Sequence, residues 1–143
     1  MKILVSACLL GENCKYSGGN NRSEAVLRFL KGHEVIPVCP EVLGGLPVPR
    51  EPAEIVDGTV RVRTGRSVDE EYRRGAGKAL AIGRERGAEL AVLQPRSPSC
   101  GCREIYDGTF SHKRIPGKGV FAQLLEENGI KAVDADELPD FVQ

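Results

Sequence analysis

Apolar and polar residues follow two different periods along the chain, and each change of period predicts a new element. Short, continuous apolar runs predict four buried strands, at residues 2–7, 34–38, 88–93 and 130–133. Apolar residues at helical spacing predict three helices between them, at residues 24–31, 68–86 and 119–128. Strands that alternate with helices are typical of a parallel sheet. We therefore expect an α/β fold, with a mostly parallel open sheet flanked by helices in a Rossmann-like, doubly wound arrangement.

Capping residues support two of these helix starts. Ser23 is a favourable N-cap for the first helix. Ser67 and Glu70 have the spacing of a capping box ahead of the long helix. Apolar positions along that helix predict a buried stripe that includes Tyr72 and Leu80.

Glycine and proline predict the remaining segments. They favour loops at residues 40–52 and 94–118, and Asp57-Gly58 predicts a small β-hairpin insertion near residues 55–63. The tail, residues 136–143, is expected to form one helical turn. No linker or repeat divides the 143 residues, so we expect a single domain spanning 1–143.

Composition narrows the classes of function. The chain is 41% hydrophobic and 28% charged, as in ordinary soluble domains. Its formal net charge is zero and only 5% of residues are aromatic, so no strong signal for a nucleic-acid partner is present. No segment has the length and apolarity of a membrane span, and none has the charged, apolar and cleavage regions of a signal peptide. We therefore expect a cytoplasmic protein without a membrane partner. The oligomeric state is left open.

Five cysteines change this picture. An odd number fits a disulfide framework poorly, and cytoplasmic thiols stay reduced, so we interpret them as ligands or reactive groups. Cys8, Cys39 and Cys100 each follow a different predicted strand. Because the carboxyl ends of parallel strands share one sheet edge, these thiols are expected to converge there. Sulfur ligands favour an iron–sulfur cluster or zinc, with Cys14 or Cys102 able to complete a four-ligand zinc site.

Other polar residues lie close to these cysteines in the sequence. Glu41 follows Cys39 by two residues and could act as a general base or acid. Ser97 and Ser99 precede Cys100 and could donate hydrogen bonds to a substrate or to sulfur, or satisfy the turn. Arg50 could anchor a polar substrate, or pair with Glu51 or Glu54.

Several blocks of the sequence are also familiar together. In order they are Ser6-Ala7-Cys8-Leu9-Leu10-Gly11, Tyr16-Ser17-Gly18, Cys39-Pro40-Glu41, Gly44-Gly45-Leu46-Pro47, Pro49-Arg50, Ser97-Pro98-Ser99-Cys100-Gly101 and Tyr106-Asp107-Gly108-Thr109-Phe110. This series closely resembles the thiouracil desulfidase (TudS-like) family, formerly a domain of unknown function, over roughly residues 2–133.

The resemblance implies a [4Fe-4S] cluster held by three cysteines, which by motif are Cys8, Cys39 and Cys100. It also implies an acidic residue, Glu41, and a serine near the substrate, for which Ser99 is favoured over Ser97. Cys14 and Cys102 are then expected to be bystanders.

The expected activity is desulfidation of a small molecule, a thiolated nucleobase of the thiouracil type or a related thiocarbonyl. In this reaction water would cleave the C–S bond and the open iron of the cluster would accept the sulfide. Two alternatives stay open. One is an iron–sulfur accessory or sulfur-carrier protein without turnover, and the other is a zinc protein.

Overall fold

A computed structural model describes residues 1–138 of the chain. Its strands are β1 (Lys2–Ser6), β2 (Glu34–Val38), β3 (Ala53–Val56), β4 (Thr59–Val62), β5 (Leu90–Leu93), β6 (Glu104–Tyr106), β7 (Arg114–Pro116) and β8 (Lys131–Asp134). Its α-helices are α1 (Glu24–Phe29), α2 (Pro40–Leu43), α3 (Asp69–Glu85) and α4 (Val120–Glu127). Two short 3-10 helices cover Ala7–Leu10 and Ala135–Glu137.

The predicted sheet is confirmed. Four strands lie in the order β2-β1-β5-β8, and every neighbouring pair is parallel. Ile3 of β1 pairs with Val35 of β2 on one side and with Leu90 of β5 on the other. The strand order therefore reverses beside β1, which places the ends of β1 and β5 at the topological switch point where α/β sheets bind ligands.

Two apolar cores form on opposite faces of the sheet, because successive strand side chains point to opposite faces. On one face Leu4, Ile36 and Leu93 belong to the same buried cluster as residues of α3 and α4. On the other face Ile3 and Val5 cluster with residues of and just after α1. Phe121 of α4 is fully buried, which contributes about 1.5–3 kcal/mol. Helices on both faces make the fold doubly wound, as expected.

The helix-start predictions had different outcomes. Ser23 is the N-cap of α1, and its hydroxyl accepts a hydrogen bond from the Val26 N–H. The predicted capping box of Ser67 and Glu70 is wrong. Val68 occupies the N-cap position of α3 without a side-chain cap, and the Ser67 hydroxyl accepts from the Asp69 N–H instead.

Two predicted loops contain regular structure. Residues 40–52 begin with α2, because the fixed φ and missing N–H of Pro40 suit the first position of a helix. Residues 94–118 contain the antiparallel pair β6–β7. The hairpin predicted near residues 55–63 is confirmed as β3–β4, with its turn at Asp57-Gly58. Of the predicted helical tail, residues 139–143 lie outside the described part of the chain.

The close approach of α2 to α3 positions the segment that follows β2. A Cβ atom on Gly75 of α3 would lie 1.7 Å from the Pro40 carbonyl oxygen, and one on Gly44 would lie 1.9 Å from the Glu71 carbonyl oxygen. Only glycine at both positions permits this backbone contact. Among residues 1–138, no helix has the length and apolarity needed to cross a membrane.

Candidate metal centre

Three cysteines lie on the wall of one cavity of about 400 Å³. Cys8 is in the 3-10 helix that follows β1, Cys39 lies between β2 and α2, and Cys100 follows β5. Cys8 and Cys100 are buried, at 8% and 4% exposure, whereas Cys39 is half-buried. The structure therefore brings together the three residues that strand position singled out; their role as ligands stays a prediction.

Each of these three thiols has a hydrogen-bond donor directed at its sulfur. The Asn21 amide nitrogen lies 3.5 Å from the Cys8 sulfur. The N–H of Val42, in the first turn of α2, donates to Cys39. Ser6 at the end of β1 bonds to Cys100, and its hydroxyl oxygen also accepts from the Gln94 N–H at 3.0 Å. Hydrogen bonds to ligand sulfurs are one way in which proteins tune iron–sulfur clusters.

A fourth thiol, Cys14, also lines this cavity. The Cys39 sulfur lies 3.8 Å from the Cys14 carbonyl oxygen. Hydrogen bonding by the Cys14 side chain lowers the pKa of Cys39 to about 7 and lowers that of Cys8, and it raises the pKa of Cys14 itself. Burial raises the pKa of Cys100. No strand precedes Cys14, so its position could not be predicted from the topology.

The fifth thiol, Cys102, does not line this cavity. It borders a smaller cavity of about 150 Å³ beside α4 and β8. Its N–H donates to the buried carboxylate of Asp134 at 2.8 Å, and Arg103 donates to the same carboxylate at 3.0 Å. These bonds tie the loop that carries Cys100 to the end of β8.

Glu41 lies on the cavity wall in a buried ion pair. Arg50 Nε donates to Glu41 Oε1 at 3.1 Å, and the side chains of the two residues are only 5% and 15% exposed, respectively. The Tyr72 hydroxyl donates to the same oxygen at 2.8 Å. Burial and the charge of Glu41 raise the pKa of Tyr72, so this phenol stays protonated. Both donors bind Oε1. Among residues 1–138 no hydrogen bond to Oε2 is formed, so this oxygen is available to water or a substrate.

The ion-pair partners expected for Arg50 are wrong, whereas the buried position expected for Tyr72 is confirmed. Arg50 pairs with Glu41 and not with Glu51 or Glu54, and it also donates to the Cys14 carbonyl oxygen at 2.8 Å. Tyr72 belongs to the predicted buried stripe of α3, but its hydroxyl reaches the site. The sequence could have indicated that Tyr72 contacts a polar residue, because a buried tyrosine hydroxyl needs a hydrogen-bond partner.

The two candidate serines differ in position. Ser97 lines the cavity, and its hydroxyl oxygen accepts from the N–H groups of Ser99 and Cys100, both at 3.0 Å. Ser99 is fully buried, is not part of the cavity wall, and its hydroxyl has no partner within residues 1–138. The geometry therefore favours Ser97 as the serine that meets a bound molecule.

The cavity wall also contains residues outside the predicted set of site residues. Arg96, Phe110 and His112 all line it, and all three have positive φ, at 64°, 57° and 62°. Such backbone is uncommon outside glycine and collects at functional sites. Arg63 lies over the Phe110 ring at 5.7 Å and donates to the Phe110 carbonyl oxygen.

The donor set fits a cluster better than a single ion. Within residues 1–138, no three His, Cys, Asp or Glu side chains are grouped closely enough to hold one metal ion. Zinc requires its ligands around one point, with Zn–S bonds of about 2.3 Å. Three separated thiols on one cavity wall, each with a donor to its sulfur, suit the thiolate ligation of a larger iron–sulfur cluster.

Comparison with known proteins agrees with this geometry. The sequence matches the family described as 2-thiouracil desulfurase over residues 3–137. It is 41% identical over 150 residues to the uncharacterized protein YbbK of Bacillus subtilis (strain 168), covering 98% of this chain and 99% of that protein. A solved structure named [4Fe-4S]-dependent thiouracil desulfidase TudS is 40% identical, with a TM-score of 0.91 over 97% of this chain and 93% of that one. Since these matches span nearly the whole described fold, this chain belongs to the 2-thiouracil desulfurase family.

Proposed function

We propose that this protein is an iron–sulfur-dependent desulfidase that removes sulfur from a thiolated nucleobase of the thiouracil type, or from a related thiocarbonyl. One observation carries the proposal: Cys8, Cys39, Cys100 and the half-buried Glu41 line a single cavity. Three thiols can hold a [4Fe-4S] cluster and leave one iron without a protein ligand. A cavity of about 400 Å³ also suits a small planar substrate.

The overall reaction exchanges sulfur for oxygen. Water adds to the thiocarbonyl carbon, the C–S bond breaks, and the products are the oxo base and hydrogen sulfide, with no net oxidation or reduction. When bound, the cluster supplies a Lewis-acidic iron with an open position for the sulfur. The chain itself must position the substrate, exclude bulk water and move the proton of the attacking water.

We assign Glu41 to move that proton. Arg50 and Tyr72 anchor its Oε1, so the carboxylate cannot rotate freely and Oε2 remains available as the base. Ser97 also lines the cavity and can meet the substrate, whereas Ser99 is buried outside the cavity wall and contributes through packing of the loop.

The proposal is tested by anaerobic reconstitution with iron and sulfide, followed by incubation with 2-thiouracil. We expect a brown protein with four irons per chain that releases uracil and sulfide in equal amounts. Iron uptake without turnover of any thiolated base would support a carrier instead, and binding of zinc in preference to iron would contradict the cluster.

Substitution of one cysteine tests the ligand assignment. Cys100→Ala is expected to lose iron and activity together, because it removes one of three ligands. Cys102→Ala is the matched control, since Cys102 is two residues away and outside the cavity. Full iron content in Cys100→Ala would overturn the assignment.

A further inference from the structure

Cys14 has no part in the proposed reaction, yet it lines the same cavity as two of the proposed ligands, Cys8 and Cys39. The Cys39 sulfur lies 3.8 Å from the Cys14 carbonyl oxygen. The backbone fixes this position. The Cys14 N–H donates to the Glu12 carbonyl oxygen at 2.9 Å, and the Cys14 carbonyl oxygen accepts from Arg50 at 2.8 Å. Cys14 is therefore held beside Cys39 by its own backbone contacts.

We propose that Cys14 is a redox modification site: in the cluster-free protein it forms a reversible disulfide with Cys39. The solvent exposure of Cys8 and Cys39 indicates which of them is the disulfide partner of Cys14. Cys14 and Cys39 are both half-buried and line the cavity, whereas Cys8 is only 8% exposed. The 3.8 Å contact between the Cys39 sulfur and the Cys14 carbonyl oxygen also favours Cys39 as the partner.

The reaction needs an oxidant, and a low-molecular-weight disulfide such as oxidised glutathione supplies it. The Cys39 thiolate attacks one glutathione sulfur, which breaks the glutathione disulfide and releases one reduced glutathione. Cys14 then gives up its proton and attacks the Cys39 sulfur, which releases the second glutathione. Two protein thiols are oxidised to one disulfide, and one glutathione disulfide is reduced to two thiols.

This disulfide changes what the cavity can hold. If the proposed function is correct, Cys39 is a ligand, so the oxidised protein cannot bind a three-cysteine cluster until a thiol reduces it. The bond also protects Cys39 from irreversible oxidation to the sulfinic or sulfonic acid. Cytoplasmic disulfides are commonly transient and redox-sensing, and this pair fits that class.

The test uses the full chain, cluster-free, treated with oxidised glutathione and analysed by intact mass and disulfide mapping. Wild-type protein and Cys102→Ser, the control outside the cavity, are expected to form a Cys14–Cys39 bond without added glutathione mass at Cys39. Cys14→Ser is expected to keep one glutathione on Cys39, because the resolving thiol is missing. Dithiothreitol should reverse both products.

A stable glutathione adduct on Cys39 of the wild-type protein, with Cys14 still open to alkylation, would overturn the proposal. A Cys8–Cys14 bond would overturn it equally. Anaerobic reconstitution of the oxidised and the re-reduced protein separates this inference from the proposed function. If disulfide mapping finds the bond but the reduced protein takes up no iron, the inference stands and the desulfidase proposal fails.

Discussion

At the scale of single residues, the Glu41 carboxylate has the environment that a positioned base requires. Two donors, Arg50 and Tyr72, bind the same oxygen, so the carboxylate is held in one orientation. Burying a charge is costly unless it is paired, and Arg50 supplies that pairing at 3.1 Å. The contacts that stabilise the ion pair therefore also restrict the orientation of Oε2, the second oxygen of the Glu41 carboxylate.

Glu41→Gln is expected to keep the cluster but lower kcat by about 10²-fold or more, since general base catalysis contributes about 10²–10⁴-fold. The amide can still accept from Tyr72, so the fold should survive. Steady-state turnover of thiouracil and iron content are the two measurements. Glu51→Gln, at an exposed position on the same loop, should leave both unchanged. Unchanged turnover in Glu41→Gln would remove this residue from the mechanism.

Tyr72→Phe removes only the hydroxyl that holds Glu41. A hydrogen bond to a charged group contributes about 1.5–3 kcal/mol, so the urea midpoint should fall measurably. We also expect kcat to fall about tenfold, because Glu41 gains freedom to rotate. A double-mutant cycle distinguishes positioning from general stability: in the Glu41→Gln background, Tyr72→Phe should have no further effect on kcat. Additive losses would show that Tyr72 acts only on the fold.

Residue-level prediction from the sequence succeeded where position along a strand decides the outcome. Cys8, Cys39 and Cys100 could be placed together because each follows one of three apolar runs, Cys8 and Cys39 immediately and Cys100 after a short turn. Cys14 could not, because its loop is held by a bond from Arg50, 36 residues further along the chain. Tyr72 was expected in the core, and it is; only the three-dimensional structure shows that its hydroxyl reaches Glu41.

At the scale of elements, the contact between α2 and α3 fixes the segment that contains Cys39 and Glu41. The helix α2 is only four residues long, so its own hydrogen bonds cannot hold it. It is instead held by direct backbone packing against Gly75 of α3. Sequence patterns missed α2 because such a short helix contains no full apolar period.

Two glycines of α3 provide a matched test of this contact. Gly75→Ala would place a methyl group 1.7 Å from the Pro40 carbonyl oxygen, so α2 must shift and stability should fall by at least about 1–3 kcal/mol. Gly77→Ala meets nothing within 4 Å and should stabilise the helix by about 0.5–1 kcal/mol. Urea unfolding and iron content after reconstitution measure both effects. Equal stability changes in the two variants would contradict the packing.

At the scale of the whole molecule, the cavity lies where three strand ends and their loops meet. β1, β2 and β5 are neighbours in the sheet, and one of the three ligand candidates lies in the segment that follows each of them. The sheet holds the strand ends rigidly, since its core residues are almost fully buried. The loops beyond these ends have fewer buried apolar contacts, so the free energy of binding a cluster should act mainly on them.

Cluster loading is therefore expected to change hydrogen exchange unevenly across the fold. Amides at residues 7–21, 39–50 and 94–103 should gain protection, because ligation joins the three loops, whereas residues 78–85 of α3, which do not line the cavity, should change little. Linkage also predicts a higher melting temperature, with about 2.7 kcal/mol of stabilisation when free ligand is 100 times its Kd. Cys100→Ala treated with iron and sulfide should show neither effect. Uniform protection across the whole chain would contradict a site built on these three strand ends.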